Sequence, residues 1–302
     1  MSENSVVSFI RRLSPLTLLF LSGCSIANFP LIDSAGPIGQ HESQLILIAF
    51  LLMLIPVVPV IVMTFWFARH YRASNEKATY KPKWGHSNKI EIVVWTVPIL
   101  IVFSLAILTW VTTHSLDPYK PIASQEKPVR IEAISLNWKW LFIYPDEHVA
   151  SVNELVIPTG VPVNFRLTSD TVMTSFFIPR LGTQIYAMAG MKTRLHLMAD
   201  KTGTFTGWNS QLSGEGFAGM HFKTIATSKA GYEAWLNKVR QSPETLDAIT
   251  YKELAKPSSH TPVTYYSSVK PNDLFAQVIN KYMHGPTHAS ALAAHTTPAS
   301  SK

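Results

Sequence analysis

The chain has 302 residues, of which 47% are apolar and only 15% charged, with a mean hydropathy of +0.13, a net charge of +7 and a single cysteine. A charged fraction well below the usual value of about 25% argues against a disordered or wholly water-soluble chain of this length. A mean hydropathy this close to zero excludes a polytopic carrier, and one cysteine excludes an internal disulfide and any Cys-pair metal site.

At the amino terminus Arg11 and Arg12 precede a short apolar stretch over 16–21. It cannot cross a hydrocarbon core of roughly 30 Å, which takes about 20 helical residues, so it reads as an export signal over 1–23. The stretch ends in Leu21-Ser22-Gly23-Cys24, which resembles the lipobox of bacterial lipoproteins. That resemblance implies acylation of Cys24, with palmitate among the expected chains, and a periplasmic segment over 24–44.

Residues 45–67 form a run without a charge, and 91–112 form a second that is charge-free after Glu91 at its entrance. Each is long enough to span as a helix. Pro56, Pro59 and Pro98 fall inside these runs and are expected to kink them. In the loop 68–90, Arg69, Arg72, Lys77, Lys81, Lys83 and Lys89 stand against Glu76, whereas 24–44 contains no Lys or Arg. The positive-inside rule places that loop in the cytoplasm and both outer ends across the membrane. Much of the basicity is thus a topology signal, and nucleic acid is not an expected partner. Trp66, Trp84 and Trp110 lie at interface depth, while Trp95 is expected to pack on the first helix or on a partner.

From 128 onward the text changes to short alternating strands. Val161, Val163, Phe165 and Leu167 share one face; Asn164, Arg166 and Thr168 share the other. Similar runs occur at 129–136, 138–144, 152–157, 193–199 and 217–227, with turns at 158–160 and 201–203. About seven strands in about 100 residues predict a Greek-key sandwich or barrel over 113–228. After Ser228 helical spacing returns in Tyr232, Trp235, Leu236 and Val239, and again in Leu274, Phe275, Val278, Ile279 and Tyr282. A helical extension is therefore expected over 229–284, followed by a tail over 285–302 whose Ala, Ser, Thr and Pro content predicts disorder. His284 and His288 have i,i+4 spacing at the edge of that tail, and His196 is expected on an exposed strand face.

Taken in order, the lipobox, hairpin and outer β domain resemble subunit II of haem-copper respiratory oxidases. The resemblance is carried by 91–98 (EIVVWTVP), Trp138-Lys139-Trp140, 175–179 (SFFIP) and Gly219-Met220-His221-Phe222. Through 175–190 and 213–222 it is closest to the bo-type, ubiquinol-oxidising branch. It implies a membrane-anchored α+β architecture: a two-helix transmembrane hairpin, a cupredoxin-like β-sandwich and a short helical C-terminal region.

Relatives that take electrons from cytochrome c hold a copper pair on two thiolates, two imidazoles and a methionine, soft ligands suited to copper. Registered on that pattern, Thr174 and Phe217 stand at the two His positions, Asn209 and Ser213 at the Cys positions and Gln211 at the Glu, leaving Met220 alone. The resemblance therefore implies no cofactor on this chain and no cytochrome c partner. Haem b, haem o, copper and ubiquinol are expected in a catalytic subunit I, beside other small membrane subunits and membrane lipid. It also implies a place at the mouth of a proton-uptake route for Glu91. Without copper, Trp138 and Trp140 read as packing residues. Arg180, Lys192 and Arg194 are equally suited to pairing with a partner or to a solvated strand face. The competing expectation is a free-standing, membrane-tethered sensor or chaperone domain.

Overall fold

A computed structural model of the chain describes residues 30, 32–79 and 83–283. The expected signal over 1–23, Cys24, Lys81, and the tail with His284 and His288 lie outside the described residues.

The hairpin consists of α1 (Pro37–His70) and α2 (Asn88–Ser115). Pro37 stands at the start of α1, where its missing N–H costs nothing and its fixed φ suits a helix. The helix continues through Pro56 and Pro59. Polar side chains in the apolar stretches turn back on their own helix: Thr64 Oγ1 donates to the Val60 carbonyl at 2.7 Å and Ser104 Oγ to the Leu100 carbonyl at 2.8 Å. Their hydroxyls are thereby satisfied without water, as a bilayer requires. Nearly all the large apolar side chains of both helices are exposed, and Trp95, at 69%, does not pack on α1. Such a surface is stable only against lipid or partner helices.

The outer domain has two sheets. The six-stranded sheet runs β11-β3-β2-β1-β5-β8, and the five-stranded sheet runs β4-β10-β9-β6-β7. The strands are β1 (Val129–Leu136), β2 (Lys139–Tyr144), β3 (Val149–Val152), β4 (Glu154–Pro158), β5 (Val163–Ser169), β6 (Thr174–Phe177), β7 (Ile185–Ala187), β8 (Thr193–Leu197), β9 (Gly203–Asn209), β10 (His221–Thr227) and β11 (Thr264–Tyr266). The β1–β5 and β4–β10 pairings are parallel and the others antiparallel.

Between the sheets Trp140, Phe142, Phe165, Phe176 and Phe222 interlock, with Phe176 stacked on Phe222 at 5.2 Å and Trp140 edge-on to Phe176 at 5.3 Å. The run read as one strand over 152–157 is two, because Asn153, at φ +57, turns the chain from one sheet to the other. Asn tolerates that conformation, and its side chain accepts from the Trp140 N–H (2.9 Å) while donating to the Thr261 carbonyl (2.8 Å). The run at 217–227 likewise opens with a 3-10 turn, Phe217–Gly219, before β10 begins.

The C-terminal region is not purely helical. It holds α3 (Lys229–Arg240), α4 (Ala248–Leu254) and α5 (Leu274–Met283), but also β11, which pairs with β3. Tyr232, Trp235, Leu236 and Val239 of α3 join the core between the sheets, while the part from Leu246 onward covers the outer face of the larger sheet: Leu246, Tyr266, Val269, Leu274, Phe275 and Val278 pack on Ile134, Leu136, Leu141 and Ile143. This explains why every residue of β2 is buried and why its sequence shows no polar alternation.

Three charges hold this cover down. Glu154 Oε1 accepts from the Tyr265 hydroxyl (2.5 Å) and Trp235 Nε1 (3.3 Å). The Asp170 carboxylate takes Lys281 Nζ (2.6 Å) and the hydroxyls of Tyr251 (2.8 Å) and Tyr282 (2.9 Å). Buried Lys139 donates to the carbonyls of Leu254 (2.8 Å) and Lys256 (2.7 Å) at the end of α4, where a cation is favourable.

Burial, reinforced by the neighbouring carboxylates, pushes Tyr251 and Tyr265 well above the usual phenol range. A phenol raised on folding contributes stability that is complete below its unfolded value of about 10 and lost as pH rises beyond it. Hydrogen exchange of the whole chain should therefore show 229–283 losing protection above about pH 10. Replacing Tyr251 and Tyr265 by Phe should flatten that dependence, and an unchanged slope would contradict it.

Candidate functional site

β9 leaves the 201–203 turn, next to the start of α1, and ends at Asn209 on the opposite side of the sandwich. There the 210–220 loop returns to β10 and brings Asn209, Ser213 and Met220 together with the backbone of Gln211. The Asn209 side chain is almost fully buried, and all of its hydrogen-bonding capacity is used. Its Oδ1 accepts from the N–H groups of Ser175 (2.9 Å) and Gln211 (3.0 Å), while Nδ2 donates to Ser213 Oγ (2.9 Å) and faces Met220 Sδ at 3.3 Å. Ser213 Oγ is itself 3.9 Å from the same sulfur. Thr174 is fully buried on β6, and its hydroxyl has no partner among the described residues. Phe217 takes part through its backbone, its carbonyl accepting from the Met220 N–H at 3.0 Å.

The converging side chains are thus an amide, a hydroxyl and a thioether. None is a thiolate, an imidazole or a carboxylate. Among the described residues no group of three or more His, Cys, Asp or Glu converges on one point. Such a donor set does not fit a copper pair, which needs soft anionic ligands to share its charge.

The Trp138-Lys139-Trp140 triplet sends its side chains three ways. Trp140 enters the core, Lys139 reaches α4, and Trp138, held at φ +64, lies over the 213–216 loop. Trp138 Nε1 donates to the Ser213 carbonyl at 2.9 Å. A Cβ on Gly216 would meet the indole at 2.3 Å, so glycine is required there. Both tryptophans are packing residues in this arrangement.

Glu91 lies in the first turn of α2, half exposed, with its Oε1 2.6 Å from His86 Nδ1. Asn88, Ile92, Trp95 and Thr96 share an open groove with it along one helix face. Sequence reasoning passed over His86, which is separated from Glu91 by the helix start and carries no pattern of its own.

Two expectations are corrected by the geometry. His196 is buried rather than exposed, at 7%, because the linker after α2 crosses over it and the Pro118 carbonyl lies 3.0 Å from its Nδ1. Arg180 is committed within the chain: it pairs with Asp33, donates from Nε to the Asp33 carbonyl at 2.9 Å and lies over the Phe205 ring. Lys192 and Arg194 remain exposed on β8 and its approach.

Comparison with known proteins gives a consistent result. Residues 147–226 match the family described as "Cytochrome C oxidase subunit II, periplasmic domain", and 240–286 match the "COX Aromatic Rich Motif". The chain is 52% identical over 284 residues to cytochrome bo(3) ubiquinol oxidase subunit 2 of Pseudomonas aeruginosa, covering 94% of this chain and 85% of that one. It is 53% identical to the protein of that name from Pseudomonas putida over 88% of this chain and 84% of the other. With ubiquinol oxidase subunit 2 of Acetobacter aceti it shares 47% identity over 94% of this chain and 92% of the other.

The Asn209 cluster predicts a specific weakness. Asn209→Ala strands the N–H groups of Ser175 and Gln211 and should destabilise the outer domain by about 2–4 kcal/mol. Chemical denaturation of the full chain reads this, and a loss under about 0.5 kcal/mol, the size of an ordinary surface substitution, would contradict the network.

Proposed function

The chain belongs to the ubiquinol oxidase subunit II family, and on that premise we propose that it is the metal-free subunit of a proton-translocating ubiquinol oxidase of the bacterial inner membrane. Its two spans anchor it, and its sandwich caps the periplasmic face of the catalytic subunit and supports that subunit's assembly. Cys24, at the resemblance to a lipobox, adds a lipid anchor with palmitate among its acyl chains. Haem b, haem o, copper and ubiquinol belong to subunit I in this reading, and other small membrane subunits complete the complex.

The observation that carries the reading is the Asn209 cluster. Where a relative fed by cytochrome c needs thiolates and imidazoles, this chain has a neutral, hydrogen-bonded set in which each group satisfies the next. With no metal there, electrons have no route from a soluble donor through this chain, and a membrane quinol oxidised in the catalytic subunit supplies them. The exposed apolar surfaces of α1 and α2 support a large membrane partner and count against a free-standing sensor or chaperone.

Glu91 is the residue of this chain placed to handle protons. At the cytoplasmic end of α2 a carboxylate facing lipid is costly, so Glu91 faces the partner or a water-filled path into it. Its role is to take a proton from the cytoplasmic side and pass it towards the site of oxygen reduction.

Two measurements test this reading. Isolated in mild detergent, the chain should carry haem absorption bands from a co-purifying partner and sustain oxygen uptake with ubiquinol but not with reduced cytochrome c. A colourless single chain would overturn it. Glu91→Gln should leave the haem spectrum intact and slow turnover about a hundredfold, the low end of what loss of a proton-transfer group costs. Unchanged turnover and pumping would remove Glu91 from the path.

A further inference from the structure

Between the outer ends of α1 and α2, the linker that follows α2 and the base of the sandwich lies a cleft of about 420 Å³. Neither the Asn209 cluster nor Glu91 touches it. Leu45 and Ile48 line it from α1, and His41, Asp117, Lys120 and His196 supply its polar wall. Its depth follows from the sequence: the apolar run of α1 begins at Leu45 and that of α2 ends at Val111. The cleft therefore sits where the headgroups of the outer leaflet meet their acyl chains.

His196 makes this more than a surface groove. It is 7% exposed, and its Nδ1, 3.0 Å from the Pro118 carbonyl, must carry the hydrogen. In the neutral ring Nε2 is then the lone-pair acceptor, and it has no hydrogen-bond partner among the described residues. That nitrogen is not sealed from its surroundings: His196 lines the cleft, so a group lodged there can donate an N–H or O–H to it. Asp117 and Lys120 form no ion pair with each other or with any other described residue. The cleft thus offers a cation without an ion pair, a carboxylate whose Oδ1 already accepts from the Tyr119 N–H at 2.9 Å but which faces no cation, and an imidazole acceptor reachable above an apolar floor.

We propose that this cleft binds a single aminophospholipid of the outer leaflet. Its phosphate meets Lys120, its ammonium donates to His196 Nε2 and faces Asp117, and its acyl chains run down past Leu45 and Ile48. A zwitterionic headgroup answers both charges and the acceptor. A quinol offers hydroxyls but leaves both charges unanswered, and phosphatidylglycerol has no cation for Asp117. The proposal rests on the hairpin's membrane placement and not on quinol oxidation.

Native mass spectrometry of the intact detergent-purified complex tests it, comparing the wild type with Ile48→Trp, which fills the floor, and Lys120→Gln, which changes only an exposed side chain. The wild type should retain one more phosphatidylethanolamine than Ile48→Trp. After delipidation it should rebind phosphatidylethanolamine about tenfold more tightly than phosphatidylglycerol, a preference lost in Lys120→Gln. Equal lipid counts in wild type and Ile48→Trp, equal binding of phosphatidylglycerol or ubiquinone, or binding of free phosphoethanolamine in place of the whole lipid would each overturn it. Haem bands retained in both variants show that the complex is intact. A chain that purifies without haem contradicts the oxidase reading, yet its own lipid count still decides this one.

Discussion

Ala35 has no exposed surface, and the membrane hairpin and the outer sandwich hold together through the seam around it. Its N–H donates to the Arg180 carbonyl at 2.6 Å and its own carbonyl accepts from Asp200 N at 2.7 Å. Gly36 follows so close to the Met198 carbonyl that a Cβ would stand 2.1 Å from the oxygen. Arg180 and Lys201 close the seam on Asp33. Only then does α1 begin. A spanning helix is self-sufficient in backbone hydrogen bonds, so nothing in the bilayer fixes how it meets a domain outside. Here the connection is made by core packing rather than by a linker, and α1 enters the membrane as an extension of the sandwich.

The same economy governs the other end of the molecule. A sandwich that opens one end for a metal must give its loops another reason to stay in place when the metal is absent. Asn209 can supply it, because a carboxamide accepts twice and donates twice and here forms a hydrogen-bond junction among Ser175, Gln211, Ser213 and Met220. The tilted Trp138 and the glycine beneath it lock the loop from outside. The aromatic-rich C-terminal region covers the second face of the central strands through Glu154, Asp170 and Lys139, each buried charge answered by donors or carbonyls. Burying a charge is favourable only with such partners, which makes the cover specific in register as well as apolar.

Much of this was legible in the sequence, for identifiable reasons. The spans were readable because charge and length decide them, although α1 starts at Pro37 rather than at 45 since its first turns lie on the sandwich and need no apolar text. β1 and β5 were readable from alternation, with β5 running from Val163 to Ser169. β6 and β7 were missed because strands of four and three residues carry little periodicity, and β9 because its alternation, clear in the burial of its seven residues, is written largely in Thr and Gly rather than in apolar residues. β11 was missed because a three-residue edge strand has none. At the site, all six positions were named by resemblance, Met220 alone keeping the family's residue. That Asn209 is the hub and Thr174 a bystander depends on side-chain direction, which spacing does not encode. The buried His196 was misread because alternation along β8 cannot register the linker crossing it.

On the proposed reading, the loop joining β9 to β10 is held by hydrogen bonding where a copper-bearing relative uses metal coordination. Elemental analysis of this chain, separated from its complex under native conditions after growth in copper-replete medium, tests it most directly. The account predicts no stoichiometric copper on the chain. Two copper ions per chain, retained through dialysis against a mild chelator, would contradict it.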